Sequence, residues 1–147
     1  MKRKAKTLAD LVDGRGLHSV DPGENLRTAC IKMTSHNIGA LAVVQRGGKL
    51  VGILSERDII KRSVIVYRPS ESTTVREVMT SDPAWLPADA APQEAYALMT
   101  AKGFRHVPVC RNGIAVGMVS IRDFQPARSS QLSKLRGGEP QVVAITI

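Results

Sequence analysis

Gly52-Ile53-Leu54-Ser55-Glu56-Arg57-Asp58 returns sixty-five residues later as Gly117-Met118-Val119-Ser120-Ile121-Arg122-Asp123. Each copy is the apolar end of a strand followed by Ser-x-Arg-Asp, a sequence suited to opening a helix. Self-similarity at a fixed period marks a chain built from repeated units, and it governs the fold more than any single element does. Aligning Leu26–Asp58 with Pro92–Asp123 needs one gap, opposite Gly47, and leaves ten identities in 32 pairs. Four of the ten fall in the seven-residue corner. Similarity spread over a unit requires only shared packing. Clustering at a strand-to-helix corner suggests a shared task there.

Working outward from the first corner, Leu50 to Leu54 reads as a return strand. Arg46-Gly47-Gly48-Lys49 before it reads as a hairpin turn whose glycines supply positive φ. Ala40 to Val44 is a continuous apolar run suited to a buried strand. Leu26, Ala29, Cys30 and Met33 have helical spacing, with the helix running to about His36 and Asn37 as its stop. Asp21-Pro22-Gly23 is a turn, and Leu17 to Val20 a short extended segment. Thr7 to Val12 is a short amphipathic helix ended by Gly14 and Gly16. Its counterpart, Thr74 to Met79, stands before the second unit.

That second unit repeats the order. Ala84 to Leu86 is a short strand, and Ala95, Leu98 and Met99 mark a helix that Gly103 ends. His106 to Cys110 is a strand, Arg111-Asn112-Gly113 a tight turn, and Ile114 to Val119 the return strand. Pro108 belongs at an edge or at the end of a ladder, because it has no N–H to donate. The chain thus divides into a disordered basic arm (1–6), a first unit (7–64), a linker (65–74), a second unit (75–127) and a tail (128–147).

Composition narrows the function classes. With 43% hydrophobic and 23% charged residues among 147, the chain has the make-up of a globular domain with a real core. Aromatics are 3%, so that core must be aliphatic. No apolar run reaches the roughly 18 residues of a membrane span, and no apolar stretch follows the basic N-terminus as in a secretory signal, so a cytoplasmic location is expected. Cys30 and Cys110 lie in apolar patterns without zinc spacing and read as small buried hydrophobes. The net charge of +8 fits anionic partners such as nucleic acid, an anionic membrane or small anionic ligands. Much of the excess is local to Lys2, Arg3, Lys4 and Lys6, and no helix-turn-helix or stacking-aromatic pattern supports nucleic acid.

The corner itself suits a ribose-phosphate. A helix N-terminus offers unpaired N–H groups to anions, Ser adds a hydroxyl and Arg a charged fork for phosphate oxygens. The Asp accepts hydrogen bonds and is suited to a ribose diol. The glycine three residues before the Ser leaves room for a ligand or a facing backbone. Each Asp follows an Arg, a pairing better suited to binding than to acid–base catalysis. Taken singly, Ser-x-x-Asp is also close to a capping box, which stabilises a helix start by roughly 1 kcal/mol without any ligand. Capping and binding are compatible.

Two β-α-β-β-α units, each ending Gly-h-h-Ser-x-Arg-Asp, resemble a pair of cystathionine β-synthase (CBS) domains, the Bateman module, over residues 7–125. Asn37-Ile38-Gly39-Ala40-Leu41-Ala42-Val43-Val44, Phe104-Arg105-His106-Val107-Pro108-Val109 and Val78-Met79-Thr80 carry the resemblance further. It implies an α/β (α+β) fold of two repeats packed sheet to sheet about a pseudo-two-fold axis, with adenine nucleotides in the clefts and a flat homodimer. It implies that Asp58 and Asp123 hold ribose hydroxyls and that Ser55, Arg57, Ser120 and Arg122 face phosphates. Ile38-Gly39-Ala40 and Phe104-Arg105-His106, with Pro108 beyond, would line adenine pockets, and the segments near Val20 and Trp85 would close them. The function implied is a stand-alone regulatory module, not an enzyme, with AMP, ADP, ATP or NAD(H) as regulatory ligand, no metal, and an unidentified protein effector. A basic nucleic-acid-binding or scaffold protein is the alternative. Pro126, six residues after Ser120, departs from the pattern and is expected to cut or kink the last helix, whereas the first unit has no such break.

Overall fold

The computed structural model describes residues 4–124. The expectations placed on residues 1–3 of the basic arm, on Pro126 and on the 128–147 tail lie outside them.

The element order is α1 (Leu8–Val12), β1 (Ser19–Val20), α2 (Leu26–His36), β2 (Ala40–Val44), β3 (Leu50–Ser55) and α3 (Glu56–Ile59), the last continuing as a π-helical turn over Ile60–Val64. After the connection come α4 (Val75–Val78), β4 (Thr80–Ser81), β5 (Leu86–Pro87), α5 (Pro92–Lys102), β6 (His106–Arg111), β7 (Ile114–Ser120) and a 3-10 turn over Ile121–Phe124. The repeat read from the sequence is therefore a repeat of structure.

Local chemistry sets most of the boundaries. Asn25 caps α2 by accepting the Thr28 N–H at 2.8 Å, and Asn37 ends it in the left-handed region at φ 52°. In α5, Pro92 stands in the first turn and Gly103 ends the helix at φ 75°. Gly47 and Gly48 both take φ 88° in the β2–β3 hairpin, which a side chain would resist.

Two sheets result, ordered β1-β2-β3-β4 and β5-β6-β7. In each, a parallel pair is followed by an antiparallel hairpin, and the ladder slips at the same place: between Val43 and Val44 in one, between Val109 and Cys110 in the other. Pro108 lies in the middle strand of its sheet rather than on an edge. The end-of-ladder reading is the one that applies. Ala42, its counterpart, donates its N–H to His18 O at 3.2 Å. Pro108 has no such donor, so pairing with β5 begins one residue later, at Leu86 and Val109. That moves the expected Ala84–Leu86 strand along to Leu86–Pro87 and leaves Trp85 outside it, 50% exposed.

The two short helices dock crosswise. Leu8 and Val12 of α1 are buried with Ala95, Met99, Val107, Val109 and Val119, in the core of the second unit. Val75 and Val78 of α4 are buried with Leu26, Met33, Leu41, Val43 and Leu54, in the core of the first. The backbone repeats the arrangement. Leu8 N–H donates to Ala90 O and Ala9 N–H to Ala88 O, while Val75 N–H donates to Glu24 O and Arg76 N–H to Pro22 O. Each unit is thus completed by a helix that precedes the other in the chain. The sheets also touch where equivalent residues meet: Lys49 bridges Ile114, and Ala115 N–H donates to Gly48 O at 3.0 Å. This is the pseudo-two-fold packing that the resemblance implied.

The corner glycines exist for this docking. A methyl group on Gly117 would lie 2.8 Å from Val12 Cβ, and one on Gly52 would lie 2.5 Å from Met79 Sδ and 3.0 Å from Thr80 O. The sequence left open whether a ligand or a facing chain segment approached these glycines. It is a facing segment at both. Gly117→Ala and Gly52→Ala are each expected to lower unfolding free energy by about 1–3 kcal/mol through overpacking, measured by urea denaturation. Stability within ~0.5 kcal/mol of the parent would contradict this packing role.

Candidate functional site

Each corner is anchored in the same way. Glu56 N–H donates to Gly39 O at 3.0 Å, and Ile121 N–H donates to Arg105 O at 2.9 Å. Ala40 pairs with Ser55 across β2–β3, and His106 with Ser120 across β6–β7. The sheet register therefore brings Ile38-Gly39-Ala40 beside the first corner and Phe104-Arg105-His106 beside the second.

From that common frame the corners diverge. In the first, Ser55 and Asp58 form a reciprocal capping box. Ser55 N–H donates to Asp58 Oδ2 at 2.9 Å, and Asp58 N–H donates to Ser55 Oγ at 3.2 Å. The Ser55 hydroxyl also donates to Asp58 Oδ2 at 2.9 Å. Asp58 Oδ1 accepts from Thr80 Oγ1 at 2.9 Å and from Arg62 Nη1 at 3.4 Å. The same Arg62 nitrogen donates to Val78 O and Met79 O, each at 2.9 Å. Asp58 is 8% exposed and meets the requirement that a buried carboxylate be both paired and hydrogen-bonded.

In the second corner, Ser120 N–H donates to Asp123 Oδ2 at 2.9 Å. Asp123 Oδ1 faces Arg15 Nη2 at 2.8 Å, with the arginine side chain 43% exposed. Arg15 follows α1 and Thr80 follows α4, so crosswise docking delivers one partner to each Asp. Asp123 also lines a cavity of about 380 Å3 with Lys4, Leu11, Pro92, Tyr96 and Phe124. The Tyr96 and Phe124 rings lie 5.6 Å apart. That volume falls within the usual range of ligand pockets.

The other expected site residues separate by burial. Arg57, Arg105 and Arg122 are exposed, and none forms an ion pair among the described residues. Ile38 and Phe104 are partly buried against the first and second cores respectively. Val20 is 2% exposed and belongs to the first core, while Ala40 and Pro108 are buried in their sheets. Trp85 lines a different cavity of about 520 Å3, with Pro87, Asp89, Cys110, Arg111 and Asn112 near the β6–β7 hairpin, away from either Ser-x-Arg-Asp corner. Burial raises the pKa of both Cys30 and Cys110, in keeping with their reading as apolar residues.

Sequence reasoning missed Arg15, Glu56, Arg62, Thr80, Lys4 and Tyr96. For Arg62 a signal existed, since it stands four residues after Asp58 on one helical face. Thr80 and Arg15 come from other segments, and nothing local announces them.

His106 and Glu56 mark the joint between the units. A methyl group on Gly39 would lie 3.4 Å from Glu56 Oε2 and 3.5 Å from His106 Cε1. Desolvation pushes the His106 pKa down to about 4, helped by Arg105 and Arg122 and opposed by Asp123. The imidazole is therefore neutral at ordinary pH. The unfolded chain takes up a proton near pH 6.5 and the folded chain only near 4, so folding loses stability as pH falls through that window.

The residues, the two corners and their pseudo-two-fold relation define a paired-repeat module. The chain matches the CBS domain over residues 9–65 and again over 75–128, and it belongs to the CBS domain family. It is 35% identical over 127 residues to the mitochondrial CBS domain-containing protein CBSX3 of Arabidopsis thaliana, covering 84% of this chain but 59% of that protein. The crystal structure of the CBS domain NE2398 superposes with a TM-score of 0.74 at 33% identity, covering 86% of this chain and 98% of that one. The CBS domain protein PAE2072 of Pyrobaculum aerophilum, complexed with AMP, has the same fold at a TM-score of 0.73 and 24% identity, covering 87% and 98%.

Replacing His106 with Gln removes a group whose folded and unfolded protonation differ by this margin. The wild type is expected to lose up to about 3 kcal/mol between pH 6.5 and pH 4 through this residue, and the variant to lose correspondingly less. Urea denaturation across that range measures the difference, and parallel pH profiles would refute it.

Proposed function

We propose that this chain is a regulatory module that binds an adenosine nucleotide at its second corner and passes occupancy to a protein effector. The observation that carries the reading is the state of Asp123. It keeps hydrogen-bond acceptor capacity beside Ser120 and Arg15, and it borders a cavity whose other walls include Lys4, Leu11, Pro92, Tyr96 and Phe124 but not Ser120, Arg105 or Arg122. Asp123 accepts from the ribose diol. Ser120, Arg122 and Arg105 face phosphate oxygens, for which guanidinium groups are well shaped. His106, a neutral donor paired with Ser120 across β6–β7, and Phe104, two residues before it in the chain, are the further contacts we assign to the ligand. AMP, ADP and ATP are the favoured ligands and NAD(H) a further one. The AMP complex of the Pyrobaculum relative supports the ligand class.

The output runs through protein contact rather than chemistry. Ile31 on α2 and Ile60 and Val64 on the π-helical turn are large apolar side chains between 53% and 64% exposed, which a homodimer contact would cover. No helix among the described residues is long and apolar enough to cross a membrane.

Calorimetric titration with AMP, ADP, ATP and NADH tests the reading. At least one should bind, and Asp123→Ala should weaken it about tenfold or more, which corresponds to roughly 1.4 kcal/mol. No heat with any of the four would refute it.

A further inference from the structure

The two corners share a sequence but not a state. Building on the nucleotide reading above, we infer that the chain takes one phosphate-bearing ligand, at the second corner, and that the first corner is a clamp holding the connection between the repeats. Three observations carry the inference.

The first is acceptor capacity. An ionised carboxylate offers about four lone-pair sites. Asp58 receives three close donors, Ser55 N–H, Ser55 O–H and Thr80 O–H, each at 2.9 Å, and a weaker contact at 3.4 Å from Arg62 Nη1, whose two hydrogens already serve Val78 O and Met79 O. A ribose diol would have to compete with these donors for the little acceptor capacity left. Asp123 receives one backbone N–H and one guanidinium.

The second is how firmly the partners are held. Arg62 is tied to Val78 O and Met79 O as well as to Asp58, so it cannot leave without orphaning carbonyl groups at the end of α4. Thr80 is fixed by β4, which pairs with β3 through Gly52–Ser81 and Ile53–Thr80. Together they tie the start of α3 to the segment that emerges from the 65–74 connection. Arg15, 43% exposed, is no more open than Arg62 at 46%, but it lies in no helix or strand and no backbone carbonyl among the described residues holds it, so it is the freer of the two to yield to a competing donor.

The third is charge. Glu56 occupies the position that Ile121 holds in the second corner, and its carboxylate lies over Gly39 at the joint. A phosphate at the first corner would meet this negative charge at close range. At the second corner the corresponding position is apolar and Arg105 stands where the first corner has Gly39, whereas Arg122 has its counterpart in Arg57.

The experiment pairs calorimetry with thermal melting on the full chain, using AMP as the probe. The wild type is expected to bind one AMP per chain. Asp123→Asn should weaken binding about tenfold or more. Asp58→Asn should keep the Kd within about threefold and lower the Tm by about 3 °C or more. Thr80→Val removes a single donor and should give the same pattern in milder form, which keeps the test usable where Asp58→Asn does not fold. Two AMP per chain would overturn the proposal, as would an Asp58→Asn variant with weakened binding and an unchanged Tm. The clamp is read from melting alone. With no nucleotide bound by the wild type, an unchanged Tm in Asp58→Asn would refute the clamp, whereas a lowered Tm would confirm it and leave the failure with the nucleotide reading.

Discussion

Close approach of a short helix to a corner glycine is the contact on which the rest of the structure depends. Val12 packs onto Gly117, and Met79 with the Thr80 carbonyl packs onto Gly52. A side chain at either glycine would hold the helix away. Leu8 and Val12 would then lose their place in the second core, and Val75 and Val78 theirs in the first. Fully burying one such aliphatic side chain contributes roughly 1.5–3 kcal/mol, so neither unit is complete without the helix it borrows. Because each unit borrows from the segment preceding the other, the two fold as one body.

The same docking decides the chemistry of the corners. The chain leaving α4 continues at once into β4, which pairs with β3 and fixes Thr80 against Asp58. The chain leaving α1 continues through Gly14 and Gly16, both at positive φ, and offers Arg15 to Asp123 from an irregular segment. Both carboxylates face a half-exposed arginine, but Asp58 also has a hydroxyl held in a ladder and Asp123 does not. A duplicated motif has thereby acquired two environments. One is largely occupied by internal donors. The other has fewer and borders a cavity.

Much of the architecture was legible in the chain because it is local. Asn37 and Gly103 mark helix ends by accepting left-handed backbone, the hairpin glycines take positive φ, and alternation of apolar runs with turns locates β2, β3, β6 and β7. The corner was legible as a cap for the same reason: Ser55 and Asp58 are three residues apart and bond directly. Pro108 shows the limit of such reading. Its lack of a donor was plain, yet the consequence, a one-residue delay of the β5 ladder within a middle strand, depends on which neighbour lies alongside. Val20 likewise read as a lid for a cleft, and burial placed it in the first core.

The sequence by itself determined that there are two units, where their strands and helices run, and that each presents Ser, Arg and Asp at a helix start. Those features follow from backbone preference and from contacts within a few residues. Only the tertiary structure decided that the short helices dock crosswise, that the corner glycines receive them, and that Asp58 is largely occupied while Asp123 keeps room. Those outcomes rest on Thr80, Arg62 and Arg15 meeting a carboxylate on another element, and on the carbonyls of Val78 and Met79 holding one arginine in place. In the chain, Arg57-Asp58 and Arg122-Asp123 read alike. Their difference arises in space, from which donors the fold brings to each oxygen.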